Sequence, residues 1–234
     1  MCGIYSVFQT RPSTFIPDRN KHKLKHRGPD YHQTVNIPHG QLCHSMSFYR
    51  LSINGIEEEN PSFGMQPFVD NNCFLVCNGE IYNHKELAET FRIDGCESDC
   101  HVIIKLYNEF LKTLDRYKSM YKLTELLIGE YAFVLYDKNN ETIFACRDHA
   151  GVRPLYYAKG ANGEDIFSSD LKSVDTSIKT IRQVEANEII TIYNKDVFCT
   201  KKYHKRVKNV TKEAQQESIK NTLEQAVKIG RAHV

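Results

Sequence analysis

The chain begins M1-C2-G3-I4-Y5-S6-V7-F8, and how this stretch is read decides both the fold and the chemistry. Cys2 is small enough for the initiator methionine to be cleaved before it. Cleavage would leave one residue carrying a thiol and a free α-amine, a nucleophile and a base together. Two plainer readings compete. As the apolar part of a leader peptide, Ile4 to Phe8 is too short, because Gln9, Thr10, Arg11 and Pro12 end the run before the roughly 7–15 apolar residues such a region needs. As a small core residue, Cys2 would open a strand buried on both faces, with Ile4, Ser6 and Phe8 alternating against Tyr5 and Val7.

Further along the chain, short strand-like runs recur: GQLCHSM, CFLVCN, YAFVLYD, TIFACR, PLYYA and NEIITIY, each bounded by Gly, Asn, Asp or Pro. Two segments have helical period between them. One is HKELAETF; the other runs from Asp99 through Phe110, with Val102, Ile103, Leu106 and Phe110 forming one stripe. Strands flanking a central helical block predict an α+β domain of antiparallel sheets. After Lys201 the chain turns basic and polar, and a helix is expected from about Thr211, with a narrow stripe at Ile219, Leu223 and Val227 that needs a partner surface.

The 234 residues, 41% hydrophobic and with a net charge of +2, allow one substantial domain and give no charge signal for nucleic acid. No apolar stretch approaches the roughly 18 residues of a membrane span. Eight cysteines without a secretory leader favour reduced thiols and a cytoplasmic setting. Cys73 with Cys77, and Cys96 with Cys100, have zinc-like spacing, but a strand would hold the first pair about 13 Å apart, so no metal is expected. The sequence contains neither G-x-x-x-x-G-K-[ST] nor G-x-G-x-x-G, and no nucleotide site is expected within these residues.

The polar groups that could carry chemistry sit beside the strands. In CNGEIYNH, Asn78 and Gly79 are expected to turn the backbone and to offer a side-chain amide and a main-chain N–H, two donors suited to an oxyanion, although an Asn-Gly dipeptide alone signals an ordinary turn. Arg50 in FYRLSIN is costly among strand residues unless it grips a planar anion such as a carboxylate. Asp99, with Ser98 as the expected helix cap, suits an ammonium or a plain helix N-terminus. Glu80 is ambiguous in the same way.

The order of these pieces is more specific than any one of them. MCGIYSVF, HRGPDYH (26–32), YRLSIN (49–54), QPF (66–68), CNGEIYNH (77–84), SDCHVI (98–103), GEYAFVLYD (129–137), RDHAGVRPLYY (147–157) and FSSDLKSV (167–174) together resemble the glutaminase domain of glutamine-hydrolysing asparagine synthetases, over nearly the whole chain up to about residue 200. Other class II amidotransferases share the terminal Cys-Gly-Ile and the Asn-Gly pair. HRGPD, RLSI and GVRPLYY set this family apart.

The resemblance implies an N-terminal-nucleophile hydrolase fold, a four-layer αββα sandwich of two antiparallel sheets. It implies that Cys2 attacks glutamine, that Asn78 and Gly79 hold the oxyanion, that Arg50 binds the α-carboxylate, that Asp99 and Glu80 bind the α-ammonium, and that backbone of Leu51, Ser52, Ile53 and Asn54 lines the pocket. The chain departs from the usual pattern at Tyr49, at Ile128 and Glu130, and at His149-Ala150. The expected domains are a glutaminase unit at 1–205 and a linker and first helix at 206–228. Residues 229–234, IGRAHV, match one reading frame of a common sequencing adapter and are expected to be foreign to the protein.

No cofactor is expected in this fragment. ATP and Mg2+ are expected for an absent C-terminal synthetase domain of the ATP-pyrophosphatase type, marked by an SGGxDS loop that this sequence does not contain. Its partners would be glutamine and that domain, with no nucleic acid and no membrane. A homodimer of the full-length protein is among the open options, as are a glutaminase-like fold serving only as an interaction or regulatory module and another class II amidotransferase.

Overall fold

The computed structural model describes residues 2–12, 20–52, 64–175, 178, 180–201 and 212–231. They form two compact units, Met1–Lys201 and Lys202–Val234. The first unit contains the strands β1 (Gly3–Phe8), β2 (Tyr31–His39), β3 (Leu42–Arg50), β4 (Phe68–Asp70) and β5 (Cys73–Ile81), followed by the helices α1 (His84–Phe91), α2 (His101–Leu111) and α3 (Arg116–Leu126). The strands resume with β6 (Gly129–Asp137), β7 (Thr142–Arg147), β8 (Tyr156–Lys159), β9 (Asp165–Ser168), β10 (Ile181–Gln183), β11 (Glu188–Tyr193) and β12 (Asp196–Lys201). Two six-stranded sheets result, in the orders β10-β8-β9-β1-β3-β2 and β12-β11-β7-β6-β5-β4. The strand pairs are antiparallel, as in β1 with β3 and β5 with β6.

Alternation along the strands builds the layers. Ile4 and Phe8 of β1 share the inter-sheet core with Met46, Phe48, Val76, Val134 and Phe167. The opposite face of the second sheet, with Leu75, Cys77, Ile81 and Phe133, is covered by Val102, Ile103, Leu106 and Phe110 of α2 and by Leu123 of α3. The expected α2 stripe is therefore the buried one, each such side chain contributing about 1.5–3 kcal/mol relative to exposure. On the outer face of the first sheet, Tyr5, Val7, Tyr49 and Ile166 lie under Leu24 and Val174, from or beside two short 3-10 turns, Lys21–Leu24 and Leu171–Ser173. The α+β expectation of two stacked antiparallel sheets is met, with α-helices over one outer face and, among the described residues, the two 3-10 turns over the other.

The helix α3 is missing from the sequence-based expectation because it buries only Ser119, Met120 and Leu123, too sparse a stripe to stand out. Its signal is local: Asp115 accepts hydrogen bonds from the Tyr117 and Lys118 N–H groups, an ordinary N-cap. In the second unit, α4 spans Lys212–Arg231, and Ile219, Leu223 and Val227 are exposed. The expected cap, Thr211, lies outside the described residues.

One expectation is corrected. Asn78 and Gly79 do not form a turn; they lie within β5, whose register with β6 runs unbroken from Cys73↔Asp137 to Ile81↔Gly129. The glycine makes this possible. A Cβ at Gly79 would stand 2.3 Å from the Glu130 carbonyl oxygen and 2.6 Å from the Tyr131 Cα, so only a residue without one lets β6 lie so close.

Candidate functional site

A cavity of about 140 Å³ opens at one end of the inter-sheet core, lined by Cys2, Phe48, Arg50, Leu51, Gln66, Asn78, Gly79, Glu80, Ser98, Asp99 and Arg153 among others. Strand period explains why these side chains meet. Cys2 extends the inward-facing series of Ile4 and Phe8. Arg50 extends that of Met46 and Phe48. Asn78 and Glu80 share the face of Val76.

Cys2 is held from two sides. The Leu51 N–H donates to its sulfur at 3.4 Å, and Arg27 Nε donates to its carbonyl oxygen at 3.3 Å. Burial pushes the thiol pKa up, opposed in part by the Leu51 hydrogen bond. The resting group is a neutral thiol, and a nucleophilic role would require a base to take its proton.

The oxyanion donors follow from the edge of β5. Tyr131, opposite Gly79, turns its own N–H to the Asp148 carboxylate and its carbonyl to the Asp148 N–H. Gly79 therefore directs its polar groups away from β6, where the short β4 pairs only with Cys73–Leu75. The same edge is occupied on both sides. Gln66 accepts from the Cys77 N–H at 2.6 Å and donates to its carbonyl at 3.1 Å, and Asp99 Oδ2 accepts from the Ile81 N–H at 2.7 Å. Cys100 Sγ donates to the Gly79 carbonyl at 3.4 Å. Beside this edge, Asn78 is 2% exposed, and its Nδ2 is buried with no partner among the described residues. A donor so placed is ready for an oxygen that arrives with a substrate.

Of the other predicted residues, Arg50, Leu51, Glu80 and Asp99 line the cavity. Ser52 is not among the lining residues; its N–H donates to Asp30 Oδ2 at 2.7 Å, so its backbone is committed to anchoring the strand exit. Ile53 and Asn54 lie outside the described residues. Ser98 makes no cap: the N-cap of α2 is Cys100, without a side-chain bond.

Sequence reasoning assigned no role to the residues that hold the lining in place. Within HRGPD, Arg27 fixes the Cys2 carbonyl and Asp30 fixes Ser52. Between them, a Cβ at Gly28 would fall 2.2 Å from the Tyr49 carbonyl oxygen. Gln66 of QPF locks Cys77. The Arg147 guanidinium donates to the carbonyls of Arg153, Val184 and Gly151, and Asp148 accepts from the N–H groups of Ala150, Val152 and Arg153. This pair orders the loop that delivers Arg153 to the cavity, where it pairs with Glu130. Glu130, one of the departures from the family pattern, thus touches a lining residue. The clusters HRGPD, QPF and RD were the available signals, but each acts across distant backbone that spacing does not reveal.

Comparison with known proteins agrees with this geometry. The chain is 38% identical over 176 residues to a probable glutamine-hydrolysing asparagine synthetase of Acanthamoeba polyphaga mimivirus, covering 73% of this chain and 29% of that protein. It is 33% identical over 183 residues to glutamine-hydrolysing asparagine synthetase 2 of Oryza sativa subsp. japonica (74% and 28%) and 32% identical over 180 residues to the asparagine synthetase of Homo sapiens (75% and 30%). The chain thus spans less than a third of the length of these relatives. Among solved structures, it superimposes on the glutamine phosphoribosylpyrophosphate amidotransferase of B. subtilis with a TM-score of 0.68 at 17% identity, over 85% of this chain and 49% of that one. The allosteric regulatory enzyme of purine biosynthesis gives 0.70 at 18% identity, over 85% and 48%. At such identities these two show the shared N-terminal-nucleophile fold. A match that runs from residue 1 to residue 226 takes in every wall of the cavity, and the chain belongs to the glutamine amidotransferase domain family.

Proposed function

We propose that this domain hydrolyses glutamine to glutamate and ammonia with Cys2 as the nucleophile. The observation that carries the proposal is Asn78, which lines the same cavity as Cys2 and whose buried Nδ2 has no partner among the described residues. After removal of Met1, the Cys2 α-amine, with an ordinary pKa of about 7.7–8.0, takes the thiol proton while sulfur attacks the side-chain amide carbon. The oxygen gathers negative charge between Asn78 Nδ2 and the Gly79 N–H. Collapse breaks the C–N bond, the α-amine returns its proton to the departing nitrogen, and ammonia leaves a γ-glutamyl thioester. Water, deprotonated by the same amine, then cleaves the thioester to glutamate and restores the thiol. Arg50 holds the α-carboxylate as a planar anion, and Asp99 and Glu80 hold the α-ammonium.

In the whole protein, the ammonia would be consumed by a synthetase domain that uses ATP and Mg2+ to activate aspartate and form asparagine. The names of the relatives and the share of their length matched here support that reading. This sequence contains no phosphate-loop motif of its own. A cytoplasmic setting is supported by eight free cysteines; no helix among the described residues is long and apolar enough to cross a membrane.

The test is glutamate release by the purified chain and by Cys2→Ala, with intact mass reporting loss of Met1. Turnover abolished in the variant supports the terminal thiol. Folded, Met1-free protein that binds glutamine without turning it over refutes the hydrolytic proposal and favours a binding module.

A further inference from the structure

We propose that Ser98 is a further recognition residue for the α-ammonium group of glutamine, an inference that rests on the glutaminase assignment above. The hydroxyl expected to cap α2 does not do so. Its Oγ is buried and has no partner among the described residues, and Ser98 lines the same cavity as Cys2, Arg50 and Asp99. Among the described residues, seven buried side-chain polar atoms lack partners. Three of them, Asn78 Nδ2, Ser98 Oγ and Arg153 Nε, belong to residues of this one cavity. Unpaired buried polar atoms are destabilising wherever they occur. Their concentration in one cavity points to a ligand that completes them.

The chemistry assigns Ser98 to the ammonium end. Asn78 Nδ2 is a donor and takes the amide oxygen. Arg153 Nε is a donor too, on a guanidinium already paired with Glu130. Ser98 Oγ is the one member of the three that can accept a hydrogen bond. It adjoins Asp99, whose Oδ2 is already engaged by the Ile81 N–H at 2.7 Å, leaving Oδ1 as that carboxylate's acceptor for the cavity. An ammonium brings three N–H donors. Asp99 Oδ1, the Glu80 carboxylate and Ser98 Oγ supply three acceptors of matching type. The serine supplies its share without adding a third negative charge beside two carboxylates, which would disfavour their ionised forms by like-charge repulsion.

The experiment compares the full chain with Ser98→Ala and Ser98→Thr, using glutamine and 4-carbamoylbutanoate, the same molecule without its α-amine. Ser98→Ala is expected to raise KM for glutamine about tenfold, the scale of one hydrogen bond to a charged group, with kcat reduced less than about twofold. KM for the amine-free analogue is expected to stay unchanged, and Ser98→Thr to restore glutamine KM. If alanine does not fold, Ser98→Cys, close in size and a weak acceptor, takes its place. An unchanged glutamine KM, or an equal rise for the analogue, overturns the assignment while leaving the glutaminase reading intact. If glutamine binds but does not turn over, the same comparison is made as Kd by calorimetry, where the same outcomes decide it. Absence of glutamine binding by the wild-type chain overturns both.

Discussion

Replacing Asn78 by alanine separates a catalytic donor from a structural residue, because the structure gives the two roles opposite signs. The Asn78 backbone is fixed by the Asn78↔Ala132 pair in the middle of β5 and β6, so the strand does not depend on the side chain for its path. The Nδ2 group is buried without a partner among the described residues, a state that costs about 1–3 kcal/mol. Deleting it relieves that cost, while the lost packing of a short polar side chain acts in the other direction at about 1 kcal/mol. Folding stability should therefore stay unchanged or rise by up to about 2 kcal/mol. Loss of one oxyanion donor should nevertheless lower kcat about 10²–10³-fold. The assays are steady-state glutamate release and the urea midpoint of the same preparation. Asn78→Asp, which keeps the shape but places an acceptor-only carboxylate against the developing charge, should lower kcat at least as far. A kcat within about fivefold of wild type, or a stability loss above about 2 kcal/mol that tracks the activity loss, would refute the reasoning and make Asn78 a packing residue.

Three further outcomes follow from the surroundings of the cavity. Gly28→Ala places a Cβ 2.2 Å from the Tyr49 carbonyl oxygen and 2.6 Å from the Arg50 nitrogen; the end of β3 must move, and kcat/KM for glutamine should fall about 100-fold, read by steady-state kinetics. Gln66→Met keeps the volume but strands the Cys77 N–H and carbonyl, and should lower the unfolding free energy by about 2–4 kcal/mol, read by urea denaturation. The third concerns His44, whose pKa burial lowers to about 4 from the ordinary 6.5. The unfolded chain binds this proton more readily than the folded one, so the stability contribution is present above about pH 6.5 and is lost as the pH falls toward 4, by about 2–3 kcal/mol. Urea midpoints at pH 7 and pH 4.5 should differ less in His44→Gln than in wild type.

What the sequence revealed about the site was the set of side chains with unusual local surroundings. Arg50 stands out among strand residues, Asp99 stands before a helical stripe, and Cys2 stands behind the initiator. The inward-facing alternation of β1 and the stripe of α2 were equally visible, because both are local periodicities. What stayed hidden depends on contacts between distant segments. Asn-Gly signals a turn by itself and becomes mid-strand only because β6 lies against Gly79. Ser98 looks like a cap until α2 is seen to start at Cys100, which leaves the Ser98 hydroxyl buried with no partner among the described residues. The work of Gln66, Arg27 and Asp148 is done on backbone groups that lie 11, 25 and 17 residues away in the chain, and no spacing rule connects them.

The margin of β5 left unpaired beyond the short β4 bears on which molecules can reach the cavity. An unpaired strand edge is ordinarily a docking rail for any extended polypeptide, which would align its own amides along it. Here the rail is stoppered: Gln66 occupies the Cys77 position and Asp99 the Ile81 position. Between them Cys100 Sγ takes the Gly79 carbonyl, which leaves the Gly79 N–H as the donor at that position. A lone carboxamide can dock there, but a peptide strand, which needs consecutive berths, cannot. Under the proposed glutaminase chemistry, the same stoppers would keep the Cys2 thiol from acting on extended peptides.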